Sequence, residues 1–346
     1  MKLRPLGMSG LQVSELCLGT MNFGVTEWGG DERTGIEVIH EYLDRGGNFI
    51  DTADVYSGGV SEEICGMALT GRREAAIIAT KGFFPVAPKF GDPPAHPNAF
   101  GSSRRHLTHA LENSLRRLRT DWIDLYQVHC WDERTPIEET LSTLNDFVRR
   151  GLVRYVGLSN YAAWQISESR QLCIRHGWEP FVTAQMQYSL VNRDVEHEVV
   201  PVCARYGIGL LPWSPLGGGV LTGKYGRDLK GPRGSRFGDA VDPSNTWRAR
   251  YVNDRNVALA ETVGSVARES GTTPTAVALA WLLGRPQVTS IIIGPKSREQ
   301  LAQNIAAGDL TLDAGALKRL EEASAPAPIY PTQFIRATLR NSPPAG

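Results

Sequence analysis

Four ionisable side chains lie at or just after the ends of three strand-like segments of this 346-residue sequence. Asp51 ends the apolar start of the segment NFIDTADVY, and Tyr56 follows five residues later. The segments AAIIAT and WIDLYQV end directly before Lys81 and His129. If these strands are parallel neighbours, their carboxyl ends lie at one edge of a sheet and the four side chains meet there. Such a group is typical of an active site.

The four side chains together fit proton donation to an oxygen that gains negative charge. The phenol of a free tyrosine has a pKa of about 10, and a nearby cation makes the loss of its proton easier. Lys81 can supply that cation, Asp51 can keep Lys81 charged and oriented, and His129 can direct a ring N–H at a substrate oxygen. This chemistry suits an oxygen that is protonated when hydride reaches a carbonyl carbon, and the hydride must then come from a cofactor.

Each of these residues also has a structural interpretation. A pair such as Asp51 and Lys81 on neighbouring strand ends is often a buried ion pair without a catalytic role. Alone, Tyr56 is typical of a packed loop aromatic, and His129 is typical of a hydrogen-bonded core histidine. Their joint occurrence at successive strand ends favours the catalytic interpretation.

The composition indicates a globular protein and argues against several classes of partner. Hydrophobic residues make up 41% and charged residues 21%, and 37 basic residues balance 37 acidic ones. No net charge therefore favours binding to nucleic acid or to an anionic membrane. Five scattered cysteines without a C-x-x-C pair predict neither a disulfide framework nor a metal site. No segment is typical of a signal peptide or a membrane helix, so we expect a cytoplasmic protein. A monomer and a homo-oligomer both stay open.

Eight alternating strand and helix units predict a parallel (β/α)8 barrel, that is, a TIM barrel of the α/β class. A doubly wound sheet is the alternative, but it ordinarily has fewer strands. We assign residues 1–346 to a single domain, with a hairpin over residues 1–14 and a tail over residues 324–346. The predicted strands cover residues 15–21, 49–51, 75–80, 122–128, 153–158, 181–186, 208–213 and 290–293.

Two predicted connections are much longer than the usual ~4 to 6 residues. One follows Lys81 and is rich in Pro, Gly, Phe and His, and the other covers residues 214–251. We expect residues 214–251 to be irregular because of their many glycines and prolines. Both connections follow strands, which places them on the face where barrel enzymes bind their substrates.

The glycine-rich motifs do not match the common nucleotide-binding fingerprints. Residues 217–222 lack the third glycine of the dinucleotide fingerprint, and residues 218–224 lack the Ser or Thr that follows a P-loop lysine. Lys224 can still contact a pyrophosphate as a plain cation. Lys296 and Arg298 lie at the predicted start of the helix after strand eight, which is typical of a phosphate site. A solvated loop is the alternative.

The segments that carry these residues resemble an aldo-keto reductase. They are IDTADVY, ATKG, DLYQVH, GLSNY, QMQYSL, WSPLGGGVLTGKY and IIGPKSREQLAQN, and they occur in family order over nearly the whole chain. Within the family, the WSPL motif and the long seventh loop are most similar to potassium-channel beta subunits and their bacterial relatives. The resemblance implies NADPH-dependent reduction of an aldehyde or ketone, with Asp51, Tyr56, Lys81 and His129 as the catalytic tetrad.

The resemblance also implies where NADPH or NADP+ would bind. Ser159, Asn160 and Gln185 would hold the carboxamide of the nicotinamide. Trp213 would stack on the nicotinamide ring, although by itself Trp213 could instead fill the barrel rim. The other cofactor residues that the resemblance implies are Thr20, Met21, Asp51, Ser214, Pro215, Leu216, Gly218, Lys224, Arg236, Gly294, Lys296, Gln300, Gln303 and Asn304.

The substrate is a small-molecule carbonyl compound that the sequence does not identify. Lys296 and Arg298 favour NADPH over NADH because the extra phosphate is negatively charged. Two other functions stay open: an NADPH-binding redox-sensor subunit of another protein, and a pathway-specific keto-sugar reductase. His129 at the fourth tetrad position favours a catalyst. The candidates for the substrate pocket, for which rim packing is the equal alternative, are Trp28, Phe83, Phe84, Trp131 and Tyr161.

Overall fold

The computed structural model describes residues 1–25, 28–87, 91–238 and 245–339. A two-stranded antiparallel hairpin begins the chain, as predicted, and consists of β1 (Leu3–Pro5) and β2 (Gln12–Ser14). Eight further strands then form one parallel sheet. They are β3 (Leu16–Gly19), β4 (Phe49–Asp51), β5 (Ile77–Gly82), β6 (Ile123–Val128), β7 (Val153–Ser159), β8 (Thr183–Gln187), β9 (Gly209–Trp213) and β10 (Ile291–Ile293).

The parallel sheet curls until its two edges meet. The strands pair in the order β10, β3, β4, β5, β6, β7, β8, β9. Leu210 of β9 then joins the last strand to the chain just before β10: its N–H donates to the Gln287 carbonyl at 2.7 Å, and its carbonyl accepts from the Thr289 N–H at 2.9 Å. The (β/α)8 barrel prediction is therefore confirmed, and the doubly wound alternative is wrong.

Helices follow the strands, and many begin at a side chain that accepts a hydrogen bond from the first helical turn. Asp31, Ser103, Thr273 and Ser297 are examples of such caps. In the part of the chain that the structure describes, no helix is long and apolar enough to cross a membrane. The helices are α1 (Glu32–Asp44), α2 (Val60–Ala68), α3 (Arg104–Leu118), α4 (Ile137–Arg149), α5 (Ala163–His176), α6 (Val199–Tyr206), α7 (Thr246–Tyr251), α8 (Asp254–Glu269), α9 (Pro274–Leu283), α10 (Arg298–Ile305), α11 (Ala314–Ser324) and α12 (Thr332–Leu339).

The strands place apolar side chains at one level of the barrel lumen and polar ones at the next. Phe49 of β4 and Ala79 of β5 lie in a buried apolar cluster, which we call the barrel-floor cluster. Two residues further along the same strands, and therefore on the same face, come Asp51 and Lys81. The barrel-floor cluster consists of Leu6, Val13, Cys17, Phe49, Ala79, Leu125 and Leu211, so the hairpin contributes to it.

The prediction that residues 214–251 are irregular is wrong at the carboxyl end of the segment. There, α7 covers Thr246–Tyr251 with Asn245 as its side-chain cap, whereas the turn at Gly217–Thr222 is interrupted by positive φ angles at Gly218 and Gly219. The predicted tail contains α12 as well. Local caps and turns decide these short helices, and a count of glycines and prolines does not reveal them. Residues 239–244 and 340–346 of the two segments lie outside the described residues.

Candidate active site

Asp51 and Lys81 form a buried ion pair at the carboxyl ends of β4 and β5. The Lys81 Nζ lies 2.6 Å from the Asp51 Oδ1, and both side chains are almost fully buried. The ammonium also donates to the Thr52 carbonyl at 2.8 Å and to the Tyr56 hydroxyl at 3.2 Å. An ammonium has three N–H donors, and these three oxygens can use all of them. The structure thus brings Asp51, Lys81 and Tyr56 together.

The segment between Asp51 and Tyr56 continues along β5 beyond the last residue of β4. The Thr52 N–H donates to the Ala79 carbonyl at 2.9 Å, and the Asp54 N–H donates to the Lys81 carbonyl at 3.1 Å. A 3-10 turn then begins at Tyr56 and ends at Gly59. These backbone bonds fix where the tyrosine leaves the sheet, so its hydroxyl can reach the lysine.

Two glutamines hold the second oxygen of the Asp51 carboxylate. Gln127 on β6 donates to the Asp51 Oδ2 at 3.0 Å, and Gln185 on β8 donates to it at 2.8 Å. Sequence reasoning missed Gln127, although its place two residues before His129 puts it on the lumen face of β6. Gln185 was expected to hold a nicotinamide carboxamide, and the structure places its amide nitrogen on Asp51.

Burial and charge set the protonation states of the site. Burial lowers the pKa of Lys81, but Asp51 and Tyr56 outweigh burial, so the pKa is raised overall. Burial raises the pKa of Tyr56, and the charge of Lys81 opposes this rise. Burial, followed by the charge of Lys81, lowers the pKa of His129 well below its usual value. At neutral pH the lysine is therefore charged, while the tyrosine and the histidine are neutral. The expected effect of Lys81 on Tyr56 is present, but burial is the larger effect.

His129 packs against two aromatic rings, and each pair of rings is T-shaped. Its ring centroid is 5.9 Å from that of Tyr56 and 5.0 Å from that of Phe84, and both pairs are nearly perpendicular. The Nδ1 atom is buried and has no hydrogen-bond partner among the described residues. The Nε2 atom is therefore the ring nitrogen that can meet a substrate.

Asn160 connects the ends of three barrel strands. Its Nδ2 donates to the His129 carbonyl and to the Ser159 Oγ, each at 3.0 Å, and its Oδ1 accepts from the Trp213 Nε1 at 3.2 Å. The φ of Asn160 is 59°, a conformation that asparagine tolerates better than most residues. Three residues expected at the nicotinamide, Ser159, Asn160 and Trp213, are thus in contact.

Two lysines from different loops lie close enough to affect each other. Burial lowers the pKa of Lys224, and the positive charge of Lys296 lowers it further. Lys296 also donates to the Gly234 carbonyl at 3.0 Å, which links the loop after β10 to the loop after β9. A Cβ on Gly219 would collide with the end of the Lys224 side chain, so this ammonium lies against the glycine-rich turn. Like charges held together are complementary to an anion such as a phosphate.

Arg236, in the loop after β9, packs against two aromatic rings. Its guanidinium carbon is 5.2 Å from the ring centroid of Trp28 and 5.5 Å from that of Phe237. Trp28 was a candidate for the substrate pocket, and the structure places it against a cofactor candidate. Sequence reasoning missed this contact because it joins the loop after β3 to the loop after β9, which are far apart in the chain.

The glycine-rich turn after β9 allows very close packing. Gly218 has a φ of 63°, and a Cβ at this position would overlap the ring of Phe237. Phe237 in turn stacks on Tyr251 of α7, with 5.6 Å between the ring centroids. Ser214 also has a positive φ, of 53°. Of the other candidates here, Pro215 is buried and Leu216 is partly buried against the core.

The remaining cofactor candidates lie around β3, β10 and α10. Gln300 accepts from the Lys296 N–H at 3.0 Å, and the Thr20 hydroxyl donates to the Asp51 carbonyl at 3.2 Å. Sequence reasoning missed Asn22, whose amide nitrogen donates to the Pro295 carbonyl at 3.1 Å. Its buried carboxamide oxygen has no hydrogen-bond partner in the described parts of the chain. Met21 and Gly294 follow β3 and β10, and α10 carries Gln303, which is exposed, and Asn304, which is buried.

The four remaining aromatic candidates divide into two classes. Phe83 and Tyr161 are almost fully buried and belong to the main core, which favours rim packing for both. Phe84 and Trp131 are half-buried, and Phe84 contacts His129. Trp131 packs edge-on against Tyr161 and Trp164, at 5.1 and 5.4 Å between ring centroids. Phe84 and Trp131 are therefore the better candidates for a substrate wall.

Comparison with known proteins agrees with this geometry. The model of the Aldo/keto reductase family matches residues 15–325. The uncharacterized oxidoreductase YrpG of Bacillus subtilis is 38% identical over 92% of this chain and 94% of its own length. Versiconal hemiacetal acetate reductase of Aspergillus parasiticus is 33% identical over 94% of this chain and 98% of its own length. A probable voltage-gated potassium channel subunit beta of Oryza sativa subsp. japonica is 34% identical over 90% of this chain and 92% of its own length. This chain, with its buried lysine and carboxylate at the mouth of a (β/α)8 barrel, therefore belongs to the aldo/keto reductase family of oxidoreductases.

Proposed function

We propose that this protein reduces an aldehyde or ketone to an alcohol, with NADPH as its cofactor and Tyr56 as the proton donor. The observation that carries the proposal is the position of Lys81, whose ammonium contacts both Asp51 and Tyr56 at the carboxyl end of the barrel. That end holds the active site in characterised enzymes of this fold. NADPH would supply the hydride when bound, and the side chains of the protein would supply and control the proton.

Tyr56 suits this role because it keeps its proton at neutral pH and has a cation beside its oxygen. Burial raises the pKa of Tyr56, so a phenol and not a phenolate meets the substrate. Once the proton has left, the charged Lys81 stabilises the phenolate. The neutral His129 can donate from its Nε2 to the same substrate oxygen, which orients the carbonyl group toward Tyr56.

The loops around the barrel mouth fit a dinucleotide with an additional phosphate. Lys224 and Lys296 hold two positive charges near each other, and an anion between them would relieve their repulsion. Asn22 offers a buried carboxamide oxygen that could accept a hydrogen bond from the cofactor. We assign the phosphates to the two lysines, and the nicotinamide to the strand ends that carry Asn160 and Trp213.

Lys296→Met should raise the Kd of NADPH about ten- to hundred-fold and leave the Kd of NADH within about threefold. A charge-assisted hydrogen bond contributes about 1.5–3 kcal/mol, and the proposal gives Lys296 such a bond to the phosphate that only NADPH carries. Quenching of protein fluorescence by each cofactor measures both constants.

Lys318→Met is the matched control because it also removes one positive charge. Lys318 lies on α11 with 75% of its side chain exposed and a long contact of 3.9 Å to Glu322. We expect it to bind both cofactors like the wild-type protein. Equal weakening of NADPH and NADH in Lys296→Met would place Lys296 away from the additional phosphate and remove the argument for NADPH.

Turnover of a carbonyl panel tests the proposed function itself. The wild-type protein is mixed with NADPH and with an aryl aldehyde, an aliphatic ketone or a keto-sugar, and the loss of NADPH and the alcohol product are both measured. Half-buried Phe84 and Trp131 favour the aryl aldehyde, because an aromatic wall contacts a flat apolar ring well.

The same panel separates the proposal from the alternatives. Tight NADPH binding without turnover of any compound would replace the catalyst with an NADPH-binding subunit of another protein, and the rice relative is named as a channel subunit. Preference for the keto-sugar would indicate a pathway-specific sugar reductase instead.

A further inference from the structure

A second set of buried polar side chains lies on the other side of β5 from the lumen, between the sheet and helices α2 and α3. Thr80 and Tyr126 belong to it because their neighbours Lys81 and Gln127 point into the lumen, and successive side chains of a strand point to opposite faces. The proposed reaction uses none of its members. We call it the Asp54 cluster, and it consists of Asp54, Glu62, Thr80, Arg117 and Tyr126.

Hydrogen bonds within the protein satisfy part of this cluster. Glu62 accepts from the Thr80 hydroxyl at 2.5 Å and from the Arg117 Nε at 2.7 Å. Four other buried atoms of the cluster have no hydrogen-bond partner among the described residues: both Asp54 carboxyl oxygens, the Arg117 Nη2 and the Tyr126 hydroxyl. Buried polar atoms are almost always satisfied, and ordered water does this where the protein does not.

Two glycines lie against the cluster: Gly82 ends the strand that carries Lys81, and Gly59 lies in the turn that begins at Tyr56. A Cβ on Gly82 would overlap the Tyr126 hydroxyl, and a Cβ on Gly59 would press on the Arg117 side chain. Gly59 is the last residue of the turn that Tyr56 begins. Tyr126 of β6 therefore approaches the backbone of the strand that carries Lys81, and Arg117 of α3 approaches the backbone of the turn that begins at Tyr56.

Every element packed around Asp54 affects its protonation. Burial raises the pKa of Asp54 well above its usual value, and the Glu62 carboxylate of α2 raises it further. Arg117 of α3 and Lys81 of β5 oppose this rise. Tyr126 of β6 faces the same carboxyl and keeps its own proton, because burial and then Asp54 raise its pKa. A protonated carboxyl can both donate to and accept from a water molecule.

We propose that Asp54 is a positioning residue for Tyr56: its buried carboxyl, joined through buried water to Tyr126, fixes the segment that carries the tyrosine. The Asp54 N–H also donates to the Lys81 carbonyl, so the residue ties this segment to β5 through its backbone and to α3 and β6 through its side chain. The effect on catalysis rests on the proposed function, whereas the protonation state does not.

Steady-state reduction of 4-nitrobenzaldehyde by NADPH tests the positioning role. Asp54→Asn keeps the shape and the donor of a protonated carboxyl, so kcat should stay within about threefold of wild type. Asp54→Leu removes both and should lower kcat about ten- to hundred-fold with an unchanged Kd for NADPH, because a small displacement of a catalytic group has an effect of this size. Leu141→Ala, a core truncation on α4, should lower stability and leave kcat unchanged.

Two kinetic results would overturn the positioning role. One is a kcat of Asp54→Leu equal to that of wild type, and the other is an equal loss in Asp54→Leu and Asp54→Asn, since the ionised carboxylate would then be required. If Asp54→Leu does not fold, the smaller Asp54→Val takes its place in the same comparison. Lack of turnover by the wild-type protein would count against the proposed function. The protonation state of Asp54 can still be tested by denaturation, which needs no substrate.

Chemical denaturation between pH 5 and 8 tests the protonation state. Because the folded-state pKa of Asp54 is raised, its contribution to stability is complete below the unfolded pKa of about 3.9 and is lost as pH rises through the folded-state pKa. Asp54→Asn does not titrate. The ratio of folded to unfolded wild-type protein should therefore fall relative to the variant, by up to about tenfold per pH unit. A constant difference between the two proteins would mean that Asp54 is ionised and would overturn the proposal.

Discussion

Tyr56→Phe should lower kcat for carbonyl reduction about 1,000-fold and leave the Kd of NADPH within about twofold of wild type. A positioned general acid contributes about 10²–10⁴-fold, and the Lys81 Nζ, 3.2 Å from the hydroxyl, can stabilise the phenolate that donation leaves behind. Phenylalanine keeps the ring that packs against His129, so the shape of the site is preserved. Steady-state kinetics and a fluorescence titration with NADPH measure the two quantities.

Tyr155→Phe is the matched control because it also removes a tyrosine hydroxyl from the barrel. Tyr155 lies on β7 against the barrel-floor cluster, below the level of the ion pair. We expect its kcat to stay within about twofold of wild type. If Tyr56→Phe instead keeps more than about a tenth of the activity, Tyr56 is not the proton donor, and His129 becomes the candidate.

Lys81→Met should abolish measurable reduction and lower the free energy of unfolding by about 3–5 kcal/mol at neutral pH. Removing one partner of a buried ion pair leaves the other charge uncompensated, and this costs about that much. The Asp51 carboxylate would keep only the amide donors of Gln127 and Gln185 among its present side-chain partners.

Arg227→Met provides the control for this prediction. It also removes a cation from an ion pair, 2.7 Å from Glu261, but the side chains of this pair are 84% and 47% exposed. We expect a loss of less than about 1 kcal/mol.

The double variant with Lys81→Met and Asp51→Leu should recover much of the stability without activity, since no buried charge is then left unpaired. Chemical denaturation of wild type and of the three variants measures these free energies of unfolding. If Lys81→Met is as stable as wild type at pH 8, the pair of Lys81 and Asp51 does not stabilise the fold as expected.

The positions of the four tetrad candidates could be predicted because short apolar segments reveal both the strand and its end. The predicted ends at residues 51, 80 and 128 compare with Asp51, Gly82 and Val128 in the structure. A parallel sheet then requires those ends to lie together, whatever the loops do. The (β/α)8 barrel followed from the same repetition of strand and helix.

The partners of these residues could not be predicted, because they depend on distances in three dimensions. Gln185 donates to a carboxylate 134 positions away in the chain, and Trp28 packs on Arg236 from a different loop. The net pKa of Tyr56 needs the balance between burial and a neighbouring charge, and a sequence shows only the charge. Asp54 looks like an ordinary polar residue of a turn until its burial is known.

The closure of the barrel at Leu210 makes one part of its wall weaker than the rest. β8 and β9 pair at five residues, whereas β9 meets the chain before β10 at a single bridge. Local opening of the barrel should therefore start along this seam, between β9 and the chain before β10. Trp213 ends the strand on one side of the seam, and Lys296 follows the strand on the other side. A ligand that contacts both residues would link the two strands on either side of this closure. Ligand binding at the carboxyl end of the barrel would therefore make the whole barrel more rigid.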